Sequence, residues 1–75
     1  MGQFVTQVRV RGQDIDWTAQ SGDLETQNLS LTAGPHPPQF VQHGTYQITV
    51  PGENERAWMF MGMDGNIANF ALYGG

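Results

Sequence analysis

Apolar and polar side chains alternate at period two along most of this chain, and that pattern constrains the fold more than any other feature. In the first segment Phe4, Val8 and Val10 share one face, whereas Arg9 and Arg11 share the other. The alternation stops at a glycine and then resumes. Because alternation is typical of a strand with one buried face, the two segments predict a β-hairpin.

The middle of the chain continues the pattern of short strands with turn signals between them. The predicted strands are residues 24–31, for which a helical turn is the alternative, and residues 39–41 and 45–50, which we expect to pair. The predicted turns and loops, marked by Gly, Pro, Ser and Asp, are residues 19–23, 33–38 and 51–55. The prolines of residues 33–38 remove backbone donors and exclude a central strand there.

The last segments carry the strongest local signal. Residues 56–63 and 66–73 flank Asp64-Gly65, a dipeptide favoured in type I′ hairpin turns. Both arms are apolar on both faces, so that Trp58 lies opposite Met59. This pattern predicts that the hairpin either lies between two layers or places one face against another chain.

These segments predict an all-β fold, a small single-domain antiparallel sandwich or barrel of about six or seven short strands. Residues 1–75 form one β domain, and Gly74-Gly75 is expected to be a flexible end. The chain has 75 residues and no cysteine, so disulfides are excluded. A single core of this size supplies only about 3–5 kcal/mol. We therefore expect stabilisation by a partner or by self-association.

Residues with catalytic or metal-binding chemistry are sparse. His36 and His43 are the only histidines, and their spacing matches no metal motif. The paired carboxylates Asp14 and Asp16 occupy the wet face of a strand, and the acidic pair of residues 53 and 55 lies beside a turn. The sequence therefore predicts no catalytic residue, no metal, no cofactor and no enzyme activity.

Charge and hydropathy restrict the partners. Three Lys and Arg residues against seven Asp and Glu residues give a net charge of −4, which argues against nucleic acid. No apolar run approaches the roughly 20 residues of a membrane span. The first residues lack the features of a secretory signal. We expect an intracellular or virion location and no membrane partner.

A stacking site is the first alternative to an interaction protein. Arg9 and Arg11, together with Trp17 and Tyr46, could bind a base or a sugar ring in a small module of the oligonucleotide-binding type, for single-stranded nucleic acid or carbohydrate. The stretches Pro35-His36-Pro37-Pro38-Gln39 and Gly44-Thr45-Tyr46-Gln47 also resemble parts of the small single-strand-binding proteins of filamentous phages. That resemblance implies an oligonucleotide-binding barrel.

A peptide modifier is the second alternative. The start Met1-Gly2-Gln3-Phe4-Val5, the pair Pro37-Pro38 and the final Gly74-Gly75 resemble the ubiquitin-like modifiers. The resemblance implies a helix-containing fold and a terminal glycine carboxylate that is activated for conjugation. Tyr73 stands where those proteins have a basic residue.

The expected function is structural. The residues expected at an interface are Met59, Met61, Met63, Ile67 and Tyr73. Methionine is an adaptable, polarizable side chain and is enriched at protein interfaces. We expect a homo-oligomer or a larger protein assembly, with a virion cement or decoration subunit as a specific example.

Overall fold

A computed structural model describes residues 2–74, which form six β-strands. The strands are β1 (Gln3–Gly12), β2 (Ile15–Leu24), β3 (Asn28–Thr32), β4 (Thr45–Thr49), β5 (Arg56–Asp64) and β6 (Ile67–Leu72). Within this part of the chain there is no helix of the length and apolarity that crossing a membrane requires.

The strands close into a barrel in the order β1-β2-β3-β6-β5-β4, and every neighbouring pair is antiparallel. Three hairpin-connected strands followed by a fourth beside the first make a Greek key. The predicted all-β antiparallel fold is confirmed, and of the two predicted architectures the barrel is the one that forms. Because β3 and β4 do not pair, residues 33–44 cross one end of the barrel, called here the loop end.

Apolar side chains that face inward fill the interior of the barrel. The largest fully buried side chains are Trp58, Tyr46, Phe70, Leu29, Leu31, Ile48, Val8 and Val10. These positions recur at every second residue of their strands, as the alternation predicts. Burial of this size is the main favourable term in the stability of the domain.

The alternation of β1 changes phase near its start. Phe4, predicted to face inward, is 73% exposed, and Val5 is buried instead. Gln7 lies between the two phases with a φ of 54°, a left-handed conformation that redirects the strand. The even-position pattern holds from Val8 to Val10 but not before the kink.

The predicted turn at residues 19–23 is wrong, because β2 continues through it to Leu24. Of residues 24–31, Leu24 ends β2 and residues 28–31 belong to β3. Glu25 closes the turn between these strands by donating its N–H to the Asn28 carbonyl at 2.8 Å. The strand interpretation of this segment is therefore confirmed over the helical turn for its second half.

Residues 39–41 do not form the predicted strand, although residues 45–50 contain β4. The segment belongs to the loop that crosses the loop end, where Phe40 packs on the core. The N–H of Val41 donates to the Tyr46 hydroxyl at 2.7 Å. Packing of the phenyl ring and this hydrogen bond, rather than strand pairing, hold the segment.

The last hairpin forms as predicted, but its turn lies one residue later. Asp64 pairs with Ile67, so the connecting residues are Gly65 and Asn66. Gly65 has a φ of 63°, whereas Asn66 is not among the positive-φ residues of the described chain. A positive φ at the first central position alone is typical of a type II′ turn rather than type I′.

Candidate functional site

The outward surface of the β5–β6 hairpin is mainly apolar, with Asn69 and Asp64 as its polar members. Trp58 and Phe60 point into the barrel, so the intervening Met59 points outward, where it pairs with Ala71. We call this surface the outer hairpin face; its members are Ala57, Met59, Met61, Ile67, Ala71 and Tyr73. The structure thus brings together four of the five residues predicted at an interface.

Exposure differs among the residues of this face. Met61 is 44% exposed and Tyr73 is 50% exposed, whereas Met59 and Ile67 are half-buried by their neighbours on the sheet. Tyr73 is held by its backbone N–H, which donates to the Ala57 carbonyl at 3.0 Å. The face therefore presents large side chains on a fixed backbone.

A β-bulge separates Met63 from the outer hairpin face. The register shifts between Phe60 and Gly62, and beyond the shift Met63 pairs with the buried Ala68. Met63 therefore lies on the inner side of the ribbon, at the rim of the loop end, with 41% exposure. Gly62 was the signal for this bulge, since glycine within a strand often marks one.

Gln42 binds the bulge. Its Nε2 donates to the Met61 carbonyl at 2.8 Å, and the next residue, His43, donates its N–H to the Phe60 carbonyl at 2.9 Å. These bonds occupy carbonyls that the irregular ladder leaves free. Sequence reasoning missed Gln42, because an isolated amide side chain in a loop has no pattern of its own.

The sheet surface beside the outer hairpin face is polar but uncharged. Met59 pairs on its other side with Thr45, and Asn69 accepts a hydrogen bond from the Ser30 hydroxyl at 3.1 Å. The hairpin itself carries one outward carboxylate, Asp64, which pairs with Ile67 at the end of β5. A partner covering this region would therefore desolvate few charges, which lowers the cost of association.

Arg9 and Arg11 lie on β1, which pairs with neither strand of the β5–β6 hairpin. The guanidinium of Arg9 donates to both carboxylate oxygens of Asp16, at 3.3 and 3.2 Å. This hydrogen bonding holds the pKa of Asp16 below its usual range, with smaller Coulombic contributions from Arg9 and Arg11. Both partners are exposed, so the pair contributes little to stability.

The four residues of the stacking alternative do not converge. Tyr46 is fully buried, and Trp17, half-buried, pairs with the buried Val10 on the inner side of the sheet. Arg9 and Arg11 alternate with Val10 and so point outward. The structure therefore places no aromatic face of this set beside an arginine.

Three of the carboxylates considered for chemistry share one depression, which neither histidine lines. His36 and His43 are exposed loop residues, and no three His, Asp or Glu side chains of residues 2–74 are grouped as a metal ion would require. Asp14, Asp16 and Glu55 line an open depression of about 540 Å³ together with Arg11. The absence of enzyme activity remains a prediction.

The end of the chain bears on the modifier alternative. Gly74 is exposed, and Gly75 lies outside the described residues, as does the predicted flexible end that depends on it. Residues 2–74 form strands and no helix, so the helix-containing fold implied by the ubiquitin-like resemblance is not present in them.

Comparison of the chain with protein families, curated proteins and solved structures gives no match. The function is therefore inferred from the geometry of the chain itself.

Proposed function

We propose that this chain is a non-enzymatic interaction protein that buries its outer hairpin face in a homo-oligomer or a larger protein assembly. One observation carries the proposal: the hairpin is apolar on both sides, and the barrel covers only one of them. Trp58 is 2% exposed and Phe70 1%, whereas Met61 and Tyr73 on the other side are 44% and 50% exposed.

The size of the molecule supports the same conclusion. A stable interface needs about 800 Å² per partner, which is roughly one sixth of the 4749 Å² of accessible surface here. The outer hairpin face is continuous with the uncharged sheet surface of β3 and β4, which pair with β6 and β5, so an interface can extend beyond the hairpin. Burial of the methionines adds apolar area, and their flexible side chains adapt to the partner surface.

We extend the proposal to a specific kind of assembly, a virion cement or decoration subunit. Such a subunit needs a compact body, an adhesive face and a surface that does not repel its neighbours. The chain has 75 residues, no lysine and only 13% charged residues. The small size and the low charge match the first and last of these requirements, and they support this specific role.

Native mass spectrometry of Met61→Glu against the unmodified chain tests the proposal. At micromolar concentration we expect the unmodified chain to exceed the 8.3 kDa of a monomer, and Met61→Glu to shift the distribution toward the monomer. Phe4→Glu is the matched control, because Phe4 is an apolar residue with 73% exposure outside the hairpin; we expect it to leave the distribution unchanged.

Circular dichroism of each variant establishes that the barrel is intact. Met61 is a surface residue, so its replacement leaves the core unchanged. The pull-down compares the unmodified chain with the Met61→Glu variant as the control. The proposal is contradicted if the unmodified chain stays monomeric and retains no protein. An equal effect of Phe4→Glu and Met61→Glu contradicts the assignment to the hairpin.

A further inference from the structure

Strand β2 has an edge that is only partly occupied. It pairs with β1 along its length, from Gly12↔Ile15 to Gln3↔Leu24, but with β3 only through residues 22–24. Within residues 2–74, the stretch 15–21 has no strand on that side and no backbone hydrogen bond to a loop. Alternate N–H and C=O groups of an antiparallel strand point to each side, so this stretch presents a row of free backbone groups.

The divergence of β2 from β3 has a structural cause. The end of β3 follows β6: Thr32 pairs with Ile67, and Ala33 donates its N–H to the Asn66 carbonyl at 2.7 Å. The hydroxyl of Ser21 donates to the Thr32 hydroxyl at 3.3 Å at the point where the two strands part. Beyond this bond the strands separate toward the loop end.

A groove of about 280 Å³ lies between β2 and residues 32–36. Trp17, Thr18, Gln20 and Ser21 of β2 line one side, and residues 32–36 line the other. Among these described lining residues there is no Asp, Glu, Lys or Arg. The ring of Trp17 is held edge-on against Phe40, with centroids 5.5 Å apart.

We propose that this groove binds an extended, uncharged segment of a partner protein, which adds a strand to the edge of β2. A strand edge selects this chemistry, because only an extended backbone repeats donors and acceptors at the matching spacing. Residues 32–36 form the opposite wall of the groove, and an added strand would lie about 4.8 Å from β2. No Asp, Glu, Lys or Arg of the described chain lines the groove to form an ion pair with a charged side chain of the occupant.

The β1–β2 hairpin has a second open edge, on β1, which lacks these properties. β1 pairs with β4 only through Arg9, Val10 and Arg11, which leaves residues 3–8 without a strand on that side in the described chain. Gln7 interrupts that stretch with a φ of 54°, whereas residues 15–21 contain no positive φ. Only the edge of β2 is therefore continuous, and it is a different surface from the outer hairpin face.

A peptide selection tests the inference. Random peptides displayed on phage are selected on the immobilised full chain, and the best binder is synthesised both unmodified and N-methylated at alternate backbone nitrogens, in the two alternating phases. We expect the unmodified peptide to shift the amide NMR resonances of residues 15–21. One N-methylated phase should bind at least about tenfold more weakly, because it loses several backbone hydrogen bonds, and the other phase should bind normally.

A matched pair of variants locates the site on the protein. Gln20→Glu adds a charge to the groove and is expected to weaken the same peptide severalfold, whereas Gln47→Glu, on the exposed face of β4, is expected to leave binding unchanged. Met61→Glu should also retain peptide binding, which separates this result from the test of the hairpin interface.

Three outcomes overturn the inference. They are the failure of the selection to yield a binder that shifts residues 15–21, equal binding of both N-methylated phases, and protection of these amides by a second copy of the chain in the absence of peptide. Any of them assigns the edge of β2 to something other than strand addition by a partner segment.

Discussion

Phe40 closes the loop end of the barrel. Its ring stacks on Phe60 with a centroid distance of 4.9 Å and meets Tyr46 and Phe70 edge-on at 5.5 and 5.4 Å. These partners come from strands far apart in sequence, so no local pattern distinguishes Phe40 from an ordinary strand residue. The sequence therefore predicted a strand at residues 39–41, where the structure has a loop that inserts one ring.

Truncation of this ring should destabilise the barrel. We expect Phe40→Ala to lower the free energy of unfolding by about 3 kcal/mol, because it removes the aromatic contacts and opens a cavity over the core. Urea denaturation followed by tryptophan fluorescence measures the change. The control is Phe4→Ala, which removes the same side chain from a position with 73% exposure and should change stability by about 0.5 kcal/mol or less. Equal effects would contradict the role assigned to Phe40.

The pKa of Asp16 provides a second test at this scale. The hydrogen bonds from Arg9 hold it below the ordinary value of 3.8. Because the folded-state pKa is depressed, the stabilising contribution is present above the unfolded-state pKa and is lost as the pH falls through the folded-state pKa. In a carbon-13 NMR titration we expect Arg9→Gln to raise the Asp16 pKa toward 3.8, and Arg56→Gln to leave it unchanged. An unchanged pKa in Arg9→Gln would contradict the interaction.

At the scale of elements, regular alternation predicted most of the strands, and a glycine caused the error at residues 19–23. Ser21-Gly22-Asp23 has the composition of a turn, yet it lies within β2. A Cβ on Gly22 would lie 2.6 Å from the Leu31 side chain, so this glycine permits close packing of β3 rather than a turn. Composition alone does not separate these two uses of glycine.

The turn of the last hairpin depends on the conformation of Gly65. Its φ of 63° lies in the left-handed region, so we expect Gly65→Ala to lower the free energy of unfolding by about 1 kcal/mol. Gly74→Ala is the matched control, because a Cβ at either glycine meets nothing within 4 Å and Gly74 has no positive φ. Thermal unfolding measures both variants, and equal stability would contradict the turn assignment.

At the scale of the whole molecule, the closure of the barrel could not be predicted from the sequence. The alternation and turns restricted the fold to a sandwich or a barrel, but the choice between them depends on pairing of β1 with β4. That contact involves only three residue pairs, from Arg9↔Thr49 to Arg11↔Gln47. Contacts between residues so distant in sequence have no local signature, and the energetic cost of forming them is a property of the whole chain.

The candidate interface was largely predictable for a physical reason. A small barrel covers only one side of a hairpin that is apolar on both sides. Alternation alone assigns Met59, Met61, Ile67 and Tyr73 to the uncovered side. Met63 could not be assigned correctly, because the bulge at Gly62 moves it to the inner side of the ribbon. The bulge thus provides two methionines of similar exposure on different surfaces.

Oxidation of these two methionines by dilute peroxide, followed by mass spectrometry, tests the central claim most directly. In the single chain Met61 is 44% exposed and Met63 41%, so without an interface both should form the sulfoxide at similar rates. If the outer hairpin face is buried against another protein, Met61 will be protected relative to Met63 at micromolar concentration, and dilution will remove the protection. Similar rates at every concentration, in the isolated chain and in extracts of its native source, would contradict the claim.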